Sequence, residues 1–146
     1  MAGELPRFFP VSQSVPEDRV DDLAALIASE FRKLDGRVRP GMSVAITVGS
    51  RGLTRMAETV RMAVDELRQR GAEPFVIPAM GSHGGATAEG QREMLEGYGV
   101  TEATVGCPIR SSMDTVLMGH TPLGCPVYCD ALAAEAAGEG AQLGRW

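Results

Sequence analysis

The chain has 146 residues, enough for one domain with a real core and too few for two ordinary ones. At 44% hydrophobic and 23% charged it reads as globular and ordered, and with aromatics at only 5% its core must be built from Ala, Val, Leu and Met. A net charge of −5, with acids and bases interspersed, offers no attraction to phosphate backbones or anionic lipid, so nucleic acid and membrane are not expected partners.

No apolar run approaches the roughly 18 residues of a spanning helix. Residues 1–10 lack the charged start, apolar core and cleavage site of a signal peptide, so the expected compartment is the cytoplasm. Three cysteines, Cys107, Cys125 and Cys129, are an odd number and suit reduced thiols acting as small buried hydrophobes. Cys125 and Cys129 are spaced C-x3-C, but no second close pair completes the four ligands of a zinc site, and no metal site is expected from them.

In chain order, Ser14-Val15-Pro16-Glu17 has the form of a capping box, and Val20, Leu23, Ala24, Ile27, Phe31 and Leu34 then recur at helical spacing. This predicts an amphipathic helix ending near Asp35-Gly36. After the turn Arg39-Pro40-Gly41, MSVAITVGS (42–50) is short and β-branched, which predicts a buried strand that stops at Gly49. From Thr54 as N-cap, Met56, Val60, Ala63, Val64 and Leu67 form one helical stripe, and Gly71 supplies the stop. The pattern of strand, loop and helix then repeats. Residues 75–80 are apolar, 81–86 form a loop, and Thr87 caps a helix whose inner face includes Met94, Leu95 and Tyr98. Two such units in tandem predict an α/β fold with a parallel, Rossmann-like sheet and right-handed crossovers. Further on, residues 116–118 and 127–129 read as short strands joined through Thr121-Pro122-Leu123-Gly124, and Asp130 caps an alanine-rich helix to about residue 137. The pattern calls next for another strand, where the chain instead reads GEGAQLGRW.

Ligands of parallel sheets sit at the carboxyl ends of the strands, where both glycine-rich loops lie. Gly49-Ser50-Arg51-Gly52 offers hydroxyl, guanidinium and backbone N–H groups suited to a phosphate or carboxylate. Gly81-Ser82-His83-Gly84-Gly85 places an imidazole, the side chain whose ordinary pKa suits proton transfer near neutrality, on a backbone that can approach a ligand closely. Neither loop is a phosphate-binding P-loop nor a dinucleotide fingerprint. His120 precedes a turn with no comparable loop and reads as a surface residue.

Taken in order, AITVGSRGL, RGAEPFVIPAMGSHGGATAEGQ, GYGVTEATVGCPIRSSM and TPLGCPVYCDALAAEA resemble the N-terminal part of the lactate-racemase-like family, nickel-pincer-dependent racemases and epimerases. The resemblance runs from about Val44 to Ala137. It implies an incomplete N-terminal domain of a two-domain α/β family over residues 1–137, followed by a non-homologous tail at 138–146. It also implies transfer of a hydride from C2 of a 2-hydroxy acid to a nickel-pincer nucleotide while a histidine takes the hydroxyl proton. On the matching motifs His83 corresponds to a catalytic acid/base histidine, and Ser50, Arg51 and Gly52 to the cofactor-binding loop. Val48, Gly52 and Gly84-Gly85 stand where members closest to lactate racemase carry an acid, a proline and Arg-Pro, so a different or larger 2-hydroxy acid suits the loops as well as lactate does. The family's covalent lysine, nickel-ligating histidine and second acid/base histidine have no counterpart in this chain. The tail then reads as a truncation or a shifted frame, which implies a chain inactive alone. The expected partner is a small 2-hydroxy acid, with self-association through an uncovered sheet edge. The alternative is a small anion- or nucleotide-binding module without catalysis.

Overall fold

A computed structural model describes residues 8–14 and 19–137. The expected capping box at 14–17 and the tail at 138–146 therefore fall, apart from Ser14, outside the described residues. The first helix, α1 (Leu23–Phe31), begins later than the periodicity predicts, because the Asp22 carboxylate accepts the Ala25 N–H at 2.9 Å and sets the start there. Val20 precedes the helix. α1 lies along the next helix without a buried residue of its own, and Arg70 ties its end down. The Arg70 guanidinium pairs with Glu66 at 2.7 Å and Asp35 at 2.9 Å, and stands 5.9 Å from the centre of the Phe31 ring.

Strand β1 (Ser43–Val48), helix α2 (Met56–Gln69) and strand β2 (Glu73–Pro78) form the central unit. The strands pair parallel in unbroken register from Ser43 opposite Glu73 to Val48 opposite Pro78. Helix α2 buries Met56, Val60, Val64 and Leu67, the expected stripe. It does not start on a Thr54 cap. Arg55 occupies that position with φ +61 and no capping hydrogen bond, and its side chain is instead committed to Glu58. At the other end Gly71 takes φ +79, as a helix stop requires, with Pro40 so close that a Cβ there would meet it at 3.0 Å.

The second unit is shorter than the tandem pattern predicts. Helix α3 (Ala88–Gly97) starts on the Thr87 hydroxyl, which accepts the Gly90 N–H at 3.0 Å. A one-turn helix, α4 (Glu102–Val105), follows, closed by a reciprocal Thr101–Thr104 capping pair that periodicity did not reveal. The chain then returns to the sheet only at Ile109, which bridges Val76 in parallel through Val76 N–H to Pro108 O and Arg110 N–H to Val76 O, both 2.9 Å. Pro108 has no N–H to extend that ladder. The fold is thus mixed α/β with a small parallel two-stranded sheet, and the longer sheet expected from the sequence is not present among the described residues. Val64, Val76, Leu95, Val100 and Val105 are fully buried between the sheet and helices α2, α3 and α4. Strands β3 (Thr115–His120) and β4 (Pro126–Asp130) form a separate antiparallel hairpin. It runs directly into α5 (Ala131–Ala137), capped by the Asp130 carboxylate on Ala133 N–H at 3.0 Å. Among the described residues no helix is long and apolar enough to cross a membrane.

A charged clasp holds the Ile109 segment. Arg92 donates to Ile109 O at 3.1 Å and to Glu102 at 3.2 Å, while Glu102 accepts the Ile109 N–H at 3.1 Å. These contacts, the Ile109 N–H foremost, hold the Glu102 carboxyl below its ordinary value. A carboxylate depressed in the folded state adds stability above its unfolded pKa and loses it as pH falls through the folded one. Glu102→Gln is expected to be less stable than the parent at neutral pH, and the difference should shrink as urea titrations are taken below roughly pH 4. A difference that grew toward acid would rule the clasp out.

Candidate functional site

Because β1 and β2 are parallel, the loops that follow them leave the same edge of the sheet. Ala79 N–H donates to Val48 O at 2.8 Å and carries the pairing one residue past β2, so the two loops start side by side. There Ser50 Oγ and His83 Nδ1, 33 residues apart in sequence, are 2.6 Å apart. Each loop is fixed from α3. The Tyr98 hydroxyl donates to Ser50 O at 2.8 Å, and the Gln91 amide donates to Gly81 O at 2.7 Å. Gln91 is the one buried polar side chain in the described core, and that bond satisfies it. Gly52, at φ +53, sits against the Tyr98 ring, where a Cβ would come 3.3 Å from Cε1. His83 stands in a tight turn, its N–H on Met80 O and its carbonyl accepting the Ala86 N–H, both at 3.2 Å.

The two loops line a cleft of about 430 Å³ with Ser50, Arg51 and His83 as its polar groups over Leu53, Met56 and Met80. Three of the four residues singled out from the sequence therefore meet in one cleft. Gly52 does not line it, and supports Tyr98 instead. Among the described residues Arg51 has no carboxylate partner, whereas Arg55, Arg61, Arg70 and Arg92 are all paired. An exposed guanidinium at the cleft mouth is free to take a carboxylate or phosphate in bidentate fashion. The Ser50 contact occupies Nδ1 and leaves Nε2 as the ring atom available to a ligand. With Nδ1–H donating to Ser50 Oγ, Nε2 of the neutral ring is a base, and once it has taken a proton the imidazolium keeps the same contact and Nε2–H is an acid. One geometry thus supports transfer in both directions.

Gln91 and Tyr98 were not anticipated as supports of the site. Gln91 was legible in principle, as an uncharged polar residue four positions before Leu95 on an apolar stripe. His120, by contrast, is exposed at the end of β3, as expected. No grouping of three or more His, Cys, Asp or Glu among the described residues could hold a metal ion. The chain's one lysine, Lys33, lies beyond α1 on Glu30 and lines no part of the cleft. Cys107 fits the expectation of a buried thiol, and burial pushes its pKa up, while Cys125 is exposed. Cys125 is expected to react first with Ellman's reagent, with Cys107 modified only on unfolding; rapid modification of all three in the native protein would contradict this burial. Compared with models of protein families, with curated proteins and with solved structures, the chain matches none.

Proposed function

We propose that this chain supplies the anion-binding and acid/base half of a 2-hydroxy acid site, of the kind implied by its resemblance to the N-terminal part of the lactate-racemase-like racemases and epimerases. On that reading the strand-loop-helix pairs are the opening of a Rossmann-like domain. The observation that carries it is the 2.6 Å contact between Ser50 and His83, which joins two loops chosen from sequence for complementary chemistry. Arg51 takes the substrate carboxylate. Ser50 holds the imidazole by Nδ1, and Nε2 accepts the proton of the substrate hydroxyl and later returns it. The buried Met56 and Met80 give the cleft an apolar floor for the carbon chain, with the exposed Leu53 at its rim.

Proton transfer alone does not invert C2; in the family the nickel-pincer nucleotide supplies the hydride acceptor. The loop N–H groups have the chemistry to hold the phosphate of such a nucleotide, and Arg51, which the resemblance assigns to the cofactor, serves one anion at a time. The described residues do not fit its metal or covalent tether, since no ligand cluster exists and Lys33 is committed elsewhere. The chain alone is therefore expected to be inactive in isomerisation. That same misfit favours the second reading, a small anion- or nucleotide-binding module.

Titration of the labelled protein with L-lactate, D-lactate, 2-hydroxybutyrate and inorganic phosphate separates the two. The half-site predicts that the hydroxy acids move the His83 ring and the amides of residues 49–52 with a dissociation constant on the order of millimolar, and that Arg51→Ala weakens this about tenfold. A response to phosphate alone would select the binding module. No response in either loop would overturn both. Intact mass and nickel content of the chain made together with the cofactor's biosynthetic enzymes then test completion: added mass with bound nickel would show the site can be completed.

A further inference from the structure

We propose that the end of the sheet opposite the Ser50–His83 cleft carries a second anion site, in which Arg68 and Arg110 hold the phosphate of a small hydroxylated phosphate monoester. The parallel register sets Ser43 against Glu73, and the bridge between Val76 and Ile109 brings Arg110 alongside β2. Side chains alternate along a strand, so Ser43, Glu73, Phe75 and Arg110 share the face away from Val76. The Arg110 guanidinium lies over the Phe75 ring, 4.4 Å from its centre. Where β1 and β2 begin, these four residues line a cavity of about 250 Å³ together with Pro108 and Arg68, the latter from the last turn of α2. Strands of six residues separate it from the cleft by roughly 17 Å, at about 3.3 Å per residue, so the proposal stands whatever the cleft binds.

The two guanidiniums identify the ligand. Both are exposed, and among the described residues neither pairs with a carboxylate, although Glu73 lines the same cavity. Phe75 is only 3% exposed, so the ring beneath Arg110 is a fixed platform. Stacking occupies the flat face of the guanidinium and leaves its edge of N–H donors for an anion. Arg68 reaches the cavity from a different element, so one anion is met from two directions. A phosphate monoester carries about −1.5 to −2 charges near neutral pH and three acceptor oxygens, enough for both guanidiniums and the Ser43 hydroxyl. A carboxylate, with one charge and two oxygens, leaves one guanidinium unmet. The Glu73 carboxylate only accepts, so it repels a bare phosphate and favours a ligand that brings a hydroxyl donor. The cavity is smaller than the roughly 300 Å³ at which pockets for drug-sized ligands begin, so the carbon skeleton is short.

Amide and arginine side-chain spectra of the full chain, titrated at constant ionic strength with glycerol 3-phosphate, inorganic phosphate and acetate, test the site. Glycerol 3-phosphate is expected to shift Ser43, Arg68, Glu73 and Arg110 with a dissociation constant on the order of millimolar. Inorganic phosphate should bind about threefold more weakly, for want of the hydroxyl, and acetate should leave these residues unmoved. Arg68→Ala and, separately, Arg110→Lys should each weaken glycerol 3-phosphate about tenfold with the circular dichroism unchanged, since both side chains are exposed. Glu73→Ala should tighten inorganic phosphate and erase the preference for the hydroxylated ligand. Shifts confined to residues 49–52, or none at all up to about 50 mM, overturn the proposal. So do acetate shifts as large as those with phosphate, binding that both arginine variants leave intact, or a hydroxyl preference that survives Glu73→Ala.

Discussion

Gly90→Ala is expected to lower the stability of the fold by about 2–4 kcal/mol and to release the His83 loop from its place beside Ser50. Gly90 is in the first turn of α3, where alanine would ordinarily be the better helix former. Here the loop folds back over the helix start. A Cβ at Gly90 would lie 2.0 Å from Gly84 O and 2.8 Å from Gly84 C. The reciprocal approach is as close, since a Cβ at Gly84, already at φ +63, would lie 2.5 Å from Gly90 C. Both obstacles are backbone and cannot rotate aside. Relief requires the loop to lift, and lifting it strains the Thr87 bonds to Gly84 O and Gly90 N–H and the Gln91 bond to Gly81 O. Gly85 is the control. It too has positive φ, +67, but nothing lies within 4 Å of a Cβ there, so Gly85→Ala carries only the conformational cost of about 1 kcal/mol. Thermal and urea unfolding of the two variants measures the difference. Equal losses would mean that the Gly84–Gly90 approach contributes nothing.

How much of this was legible follows from which signals are local. The stripe of α2, the Thr87 cap and the turn between β3 and β4 are written in spacing and residue type, and the structure has each of them; the strand after Gly41 forms as well, but of its residues only Val48 is buried, where a buried strand was expected. The periodicity took Val20 into the first helix, whereas the Asp22 carboxylate accepts the Ala25 N–H and α1 begins at Leu23. Thr54 was a plausible cap by type, yet the backbone turns left-handed at Arg55 instead, and nothing in the residue spacing marks that. That the sheet gains only a single bridge beyond β2, at Ile109, has a clearer origin. Cys107-Pro108-Ile109 reads as apolar, but Pro108 and the Arg92–Glu102 clasp hold only one residue in bridging register. For the site, glycine, hydroxyl, guanidinium and imidazole were visible as two separate loops. That they touch is a consequence of the parallel register, which no single-loop motif encodes.

Leu95→Ala is expected to cost about 2–5 kcal/mol, and to disturb both loops of the cleft although Leu95 touches neither of the groups proposed for chemistry. Leu95 is fully buried among the core residues packed beneath the sheet. It also stands between the two side chains of α3 that position the site, four residues after Gln91 and three before Tyr98, so all three fall along one face of the helix. Gln91 holds the His83 loop by Gly81 O, and Tyr98 holds the Ser50 loop by its carbonyl. The register of that face against the sheet is set by Leu95. Removing its side chain leaves a cavity that α3 fills only by shifting, and a shift moves both donors at once. Tyr98→Phe separates the effects: it removes one hydrogen bond, worth about 1 kcal/mol, and frees the Ser50 loop alone. In amide spectra Tyr98→Phe should therefore move residues 49–52 and spare 81–84, while Leu95→Ala should move both sets together. If the Leu95 variant lost stability with both loops unmoved, the core and the cleft would be independent, and α3 would not be the element that joins them.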